Sequence, residues 1–155
     1  MKKVFVDTAA WIALLNIDDL WHQQAKQIRL ELLKSNYIFI TTEFILLEVG
    51  DALCSQNIRR NTANFLHNIY QLNSIIVISF SQDLLQLGLN LYEQRLDKNW
   101  GLTDCISFIV MQRENIQEAF TSDKHFEQDS FVYSSDRLIK PQKHRKPHLK
   151  SIDNK

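Results

Sequence analysis

Chain breakers are scarce: glycine occurs three times and proline twice, both prolines falling after position 140. With 45% of 155 residues hydrophobic, this excludes a low-complexity protein and leaves material for one domain with a substantial core. Cysteine is equally sparse. Cys54 and Cys105 stand far apart in no CxxC or Cys/His pattern, which argues against a disulfide framework and for a reducing compartment. Both are expected to be buried packing residues. No apolar run approaches the roughly 20 residues that cross a bilayer. The opening MKKVFVDTAAWIALL has the look of a leader peptide, but Asp7 splits its apolar stretch and no small-residue cleavage site follows. A soluble, cytoplasmic protein is expected.

An excess of one charge is also missing, since 18 basic side chains offset 18 acidic ones. Net charge therefore points to neither nucleic acid nor a membrane surface. The distribution is uneven, however. Residues 137–155 carry seven Lys or Arg against one acid, Asp153, which leaves eleven basic and seventeen acidic side chains in residues 1–136. The stretch RLIKPQKHRKPHLKSIDNK also lacks periodicity and large apolar groups, so the expectation is a domain at 1–136 followed by a basic, flexible tail at 137–155.

What is present alternates. Val4 to Val6, Tyr37 to Thr41 and Ile75 to Ser79 are short apolar or β-branched runs that read as strands, with shorter ones at Ala119 to Thr121 and Phe131 to Tyr133. Between them lie helical stretches: Ala9 to Leu15 with Thr8 as cap, about Asp19 to Lys34, a segment from the Thr41 or Thr42 cap through Phe44, Leu47, Glu48 and Asp51, and Arg59 to Leu72. Ser81 caps a further helix carrying Leu84, Leu87, Gly88 and Leu91. Gly101 then breaks the chain before a helix that buries Leu102, Ile106, Ile109 and Val110. Strands that read as continuous apolar runs and alternate with helices indicate an α/β fold with an open parallel sheet covered on both faces.

In such sheets ligands bind beyond the carboxyl ends of the strands, where strand order reverses. Asp7 ends the first strand and Asp123 follows the short strand closing at Thr121. Asp104 occupies the first turn of its helix, and Glu48 lies on the helix after the second strand. If the two helices face that rim, four carboxylates converge. Clustered carboxylates oppose one another's ionisation, and a divalent cation removes the conflict. Oxygen ligands without a His/Cys cluster favour Mg²⁺ or Mn²⁺ over zinc, and such an ion suits phosphodiester hydrolysis. Each acid also has a plain alternative: Asp7 as a helix-start residue, Asp104 as a complement to the helix dipole, Glu48 on a solvated face and Asp123 in a turn. Only the four together point to a site.

Five segments in order, FVDTAAWIALL with Asp7 and Thr8, DDLWHQQA with His22 and Ala25, TTEFILLEV with Glu48, DKNWGLTDCISFIVM with Asp104, and TSDKHF with Thr121, Asp123 and Phe126, resemble the PIN domain. Within that family the chain is similar to the VapC-like ribonuclease toxins of toxin–antitoxin pairs, over about residues 3 to 133. The resemblance implies a three-layer α/β/α sandwich with a parallel, roughly five-stranded sheet, and metal-dependent endonucleolytic cleavage of RNA. It implies Asp7, Glu48, Asp104 and Asp123 as the catalytic, Mg²⁺- or Mn²⁺-binding acids, with the Thr8 and Thr121 hydroxyls orienting them. It also implies a homodimer and a small antitoxin partner. Gly101 stands where many relatives carry Ser, which removes a possible helix cap but no metal ligand. Arg95 and Lys98, beside the segment carrying Asp104, are placed for RNA contact, with ordinary surface ion pairing as the alternative. His22 and His125 read as structural rather than ligating, and Trp11, Trp21 and Trp100 as packing residues before base-stacking ones.

Two other classes compete. A housekeeping RNA-processing nuclease or a non-catalytic RNA- or protein-binding PIN module would share these motifs. A phosphoryl-transfer protein of another α/β family is disfavoured, because Ala9 stands where an aspartate-nucleophile phosphatase has its second acid and no GxxxxGK phosphate loop occurs.

Overall fold

In the computed structural model residues 1–123 are described, together with a short strand at 138–139. The expected strand at Phe131 to Tyr133, the residues of TSDKHF beyond Asp123, including His125, and the rest of the tail lie outside the described residues. The strands are β1 (Lys2–Val6), β2 (Tyr37–Thr42), β3 (Ile75–Ile78), β4 (Ala119–Phe120) and β5 (Leu138–Ile139). The helices among the described residues are α1 (Thr8–Leu15), α2 (His22–Lys34), α3 (Glu43–Ala52), α4 (Gln56–Asn68), α5 (Gln82–Gln94) and α6 (Leu102–Arg113), and α4 runs into a 3₁₀ turn at Ile69–Gln71.

The five strands form one sheet in the order β3-β2-β1-β4-β5, and every pairing is parallel. Parallel neighbours need crossovers, and crossovers are right-handed. Those running β1 to β2 to β3 step one way along the sheet and place α1 to α4 on one face. The return from β3 to β4 carries α5 and α6 to the other. The outcome is the α/β/α sandwich, and its strand order reverses beside β1.

β1 is central because it is apolar on both faces. Val4, Phe5 and Val6 are fully buried, and so are Phe39 and Ile40 of β2 and Ala119 and Phe120 of β4. Phe5 sits opposite Ile40, and Val6 opposite Phe120. Each large side chain removed from water there contributes about 1.5–3 kcal/mol. β3 departs from the expectation of a strand buried on both faces: it is an edge, and Ile76 is exposed.

Local chemistry accounts for the helix boundaries. Thr42 accepts the Ile45 N–H at 3.1 Å to open α3, and Ser81 accepts the Leu84 N–H at 3.1 Å to open α5. α2 begins at His22 rather than Asp19, because Asp19 is spent on a turn in which its carboxylate accepts the Trp21 N–H at 2.8 Å. α6 is buried on more sides than a surface helix, with Cys105, Ile106, Ser107, Phe108, Val110 and Met111 all inside, while Leu102 and Ile109 pack partly buried against the core. Its close approach to α5 depends on Gly88, where a Cβ would lie 2.3 Å from Ile106 Cγ1. Cys105 is buried as expected, but Cys54 is exposed in the turn after α3.

β5 falls in the stretch read as a tail. A two-residue apolar pair is too short for periodicity to reveal it.

Candidate active site

Asp7 follows β1 directly, at the rim where strand order reverses, and is 5% exposed. Its backbone N–H still belongs to the sheet, donating to the Phe120 carbonyl at 3.2 Å. Asp7 occupies the cap position of α1 but makes no side-chain cap bond, which answers the alternative of a mere helix-start residue. Instead its Oδ2 accepts the Thr121 hydroxyl at 2.8 Å, and the same hydroxyl oxygen accepts the Asp123 backbone N–H at 2.9 Å. Thr121 therefore fixes two acids at once, the carboxylate of one and the backbone of the other.

Burial pushes the Asp7 carboxyl up to about 7, opposed by the bonds from Thr121 and the Thr8 backbone and reinforced by the negative charges of Asp104 and Asp123. Those last contributions place Asp104 and Asp123 within electrostatic reach. Asp104 is half-buried in the first turn of α6, where its Oδ2 accepts the Gly101 N–H at 2.8 Å. This is one half of a capping box, the half that needs no side chain at the cap position. Asp123 is half-buried as well.

Glu48 is exposed on α3, so no burial penalty attaches to an acid between Leu47 and Val49, and Leu47 is itself 67% exposed. It joins the site through Thr8, whose hydroxyl donates to Glu48 Oε2 at 2.5 Å. Thr8 thus tethers an acid and does not cap α1.

The structure gathers Asp7, Asp104 and Asp123 into one electrostatic group and links Glu48 to it by one residue. Among the described residues, no three His, Cys, Asp or Glu side chains already stand close enough to hold an ion. The donor set nonetheless fits a hard divalent cation: it is all oxygen, and its innermost member is a buried carboxyl whose charged form lacks only a countercharge.

Two braces behind the site were not anticipated. Thr41, fully buried at the end of β2, donates to the Val6 carbonyl at 3.0 Å and accepts the Trp11 indole N–H at 3.2 Å. This pins α1 against the strand that delivers Asp7. A threonine ending an apolar run signals such a bond, since a buried hydroxyl needs a partner, but the sequence also allowed it to be a cap. Trp11 and Trp100, at 2% and 5% exposed, are packing residues with no face open to a base. His22 is buried with Nδ1 2.8 Å from the Ala13 carbonyl, a structural contact. Asp97 pairs with Arg95 and Asp51 is exposed.

The sequence pattern of the PIN domain matches residues 4–131, and the chain belongs to this family. Among solved structures it is similar to VapC20 of Mycobacterium tuberculosis, described as a sarcin-ricin loop cleaving toxin, at 26% identity and a TM-score of 0.70, over 80% of this chain and 92% of that one. A toxin–antitoxin complex from Klebsiella pneumoniae shares the fold, with a TM-score of 0.55 at 17% identity, over 90% of this chain and 98% of that one. No curated protein matches the sequence. No helix among the described residues is long and apolar enough to cross a membrane.

Proposed function

We propose that this protein is an endoribonuclease dependent on Mg²⁺ or Mn²⁺ and the toxin of a toxin–antitoxin pair. The observation that carries the reading is the buried Asp7 carboxyl, fixed by Thr121 at the switch point of the sheet and facing Asp104 and Asp123. A buried structural acid is most often paired with a cation of the protein. This one is buried beside other acids. The likeness to an RNA-cleaving toxin over 92% of that toxin's length supports RNA as the substrate.

Asp7, Glu48, Asp104 and Asp123 would hold the ion, which when bound supplies a water of lowered pKa and neutralises charge building on the phosphoryl oxygen. The chain's own part is orientation. Thr121 sets the Asp7 carboxylate and the position of Asp123, Thr8 holds Glu48 toward the same rim, and the Gly101 N–H steadies Asp104. Because α6 is anchored by Ile106, Phe108 and Val110, Asp104 is presented on a rigid element. A small antitoxin covering these acids, a homodimer and a cytoplasmic setting complete the reading, and the toxin–antitoxin complex of the same fold is in keeping with such a partner.

The test is incubation of the purified protein with cellular RNA, with and without Mg²⁺ or Mn²⁺, beside Asp7→Asn and Asp104→Asn. Cutting that requires metal and is lost in both variants is expected. Equal cutting by wild type and both variants refutes the site.

A further inference from the structure

A cavity of about 390 Å³ opens beside the first turn of α6, between the end of α5 and the connection to α6. Its lining includes Tyr92, Arg95, Leu96, Lys98, Trp100 and Gly101. Gly101 is the residue whose N–H binds Asp104 at 2.8 Å, so the cavity adjoins the acidic site directly. We propose that this cavity is a nucleotide subsite for the RNA strand, in which Arg95 and Lys98 hold a backbone phosphate neighbouring the scissile one and Tyr92 takes the adjoining base. The assignment rests on the nuclease reading for the identity of the reacting centre.

The two cations are organised around one ring. The Arg95 guanidinium carbon lies 4.7 Å from the centroid of Trp100, and Lys98 Nζ lies 5.9 Å from it. The ring cannot swing, because Phe108 of α6 packs against it edge to face at 4.8 Å and it is 5% exposed. Asp97 grips Arg95 through Nε and Nη2 at 2.9 and 3.0 Å. A cation held this way has already lost much of the rotamer freedom that phosphate binding would otherwise cost. The indole N–H of Trp100, a residue of the lining, is buried without an acceptor among the described residues.

Electrostatics explains why a subsite is needed there. Residues 1–136 carry seventeen acids against eleven bases, and the reacting rim is itself acidic, so a polyanion is repelled unless cations border the rim. Arg95 and Lys98 stand at that border. On the outer side, Tyr92 is 51% and Leu96 is 88% exposed, apolar surface suited to the face of a base. Stacking there tolerates any sequence. The volume falls within the ~300–1,000 Å³ range of small-ligand sites, room for one nucleotide.

The test is fluorescence anisotropy of the full chain with a labelled oligonucleotide of about ten uridines, in EDTA so that nothing is cut, from about 50 to about 200 mM salt. Arg95→Gln and Lys98→Gln should each weaken binding by roughly threefold to tenfold at low salt and flatten the logarithmic salt slope by about 0.7, the value for one phosphate on a single strand. Arg95→Lys should keep the slope. Tyr92→Ala should weaken binding about fivefold or more with the slope unchanged, as loss of stacking does. Lys34→Gln, at the far end of α2 before β2 begins, should change nothing. If Arg95→Gln folds poorly, Lys98→Gln and Tyr92→Ala carry the test, since neither removes the packing under the ring.

Wild-type affinity and slope in Lys98→Gln and in folded Arg95→Gln overturn the subsite. So does failure of the wild type to bind at the lowest salt. Displacement of the RNA by an equal concentration of decaglutamate also overturns it, in favour of an acidic peptide partner. The nuclease reading fails separately: no metal-dependent cutting by the wild type, with binding that still needs Arg95 and Lys98, leaves the subsite standing without the enzyme.

Discussion

Replacing Asp7 by Asn should stabilise the metal-free protein, and increasingly so as pH rises. The carboxyl is raised from 3.8 to about 7 on folding, with burial the largest cause. A raised acid binds its proton more tightly in the folded state, so the folded state carries no penalty below about pH 4. The penalty grows from there to about pH 7 and is complete above it. Roughly three decades at 1.36 kcal/mol each amount to a cost on the order of 4 kcal/mol at about pH 8, against on the order of 2 kcal/mol at about pH 5. Asn avoids this cost, and its amide oxygen still accepts the Thr121 hydroxyl. Urea unfolding in EDTA at both pH values measures the difference, and comparing variant with wild type cancels the titration of every other group. Adding Mn²⁺ should offset most of the cost at about pH 8, because an ion bound only by the native wild type stabilises it by about 2.7 kcal/mol at a hundredfold excess over its dissociation constant. A difference between wild type and Asp7→Asn that does not change with pH would refute the claim that Asp7 is buried against its own ionisation.

Thr121→Val removes the hydroxyl that favours ionised Asp7. The acid limb of the pH–activity profile should move to higher pH, with about 1 kcal/mol of stability lost with the two hydrogen bonds of the hydroxyl. Gly88→Ala would gain up to about 1 kcal/mol from helix propensity, but its Cβ would fall 2.3 Å from Ile106 Cγ1. The clash should win, for a net loss of about 1–3 kcal/mol in urea unfolding. Gly101→Ser meets nothing nearer than Asp104 Oδ2 at 3.4 Å. It should supply the missing cap hydroxyl and raise stability by a few tenths of a kcal/mol, visible as a small rise in urea midpoint with cutting retained.

What was legible in the sequence follows from which signals are local. Val4 to Val6 and Tyr37 to Thr41 announce buried strands because every residue is apolar or β-branched, and Ser81 announces α5 because a cap needs only its own neighbourhood. The exposed edge at Ile76 was illegible, since a strand's neighbours are set by topology and its own composition matches that of a central strand. The same limit applies to the acids. Position along the chain places Asp7, Asp104 and Asp123 at the rim, but nothing in the local sequence tells which is buried. Nor does it tell that Thr8 reaches forty residues ahead to Glu48 instead of capping its own helix.

On the proposed reading, that difference in burial would divide the work among acids that look equivalent in sequence. Asp7 extends a central strand and cannot move without unpairing the Phe120 carbonyl, so it supplies a fixed point at the cost of resisting ionisation. Glu48 stands exposed on a helix and is held by one hydroxyl, so its carboxylate can adjust. Asp104 lies between these extremes, rigid through the packing of α6 but half-open to solvent. Four equally buried acids would be too unstable to fold without an ion, and four equally exposed ones would bind it weakly and without orientation. On the proposed reading, a graded set would let the protein fold empty and then take up a cation, whose charge would lower the pH at which the buried carboxyl loses its proton.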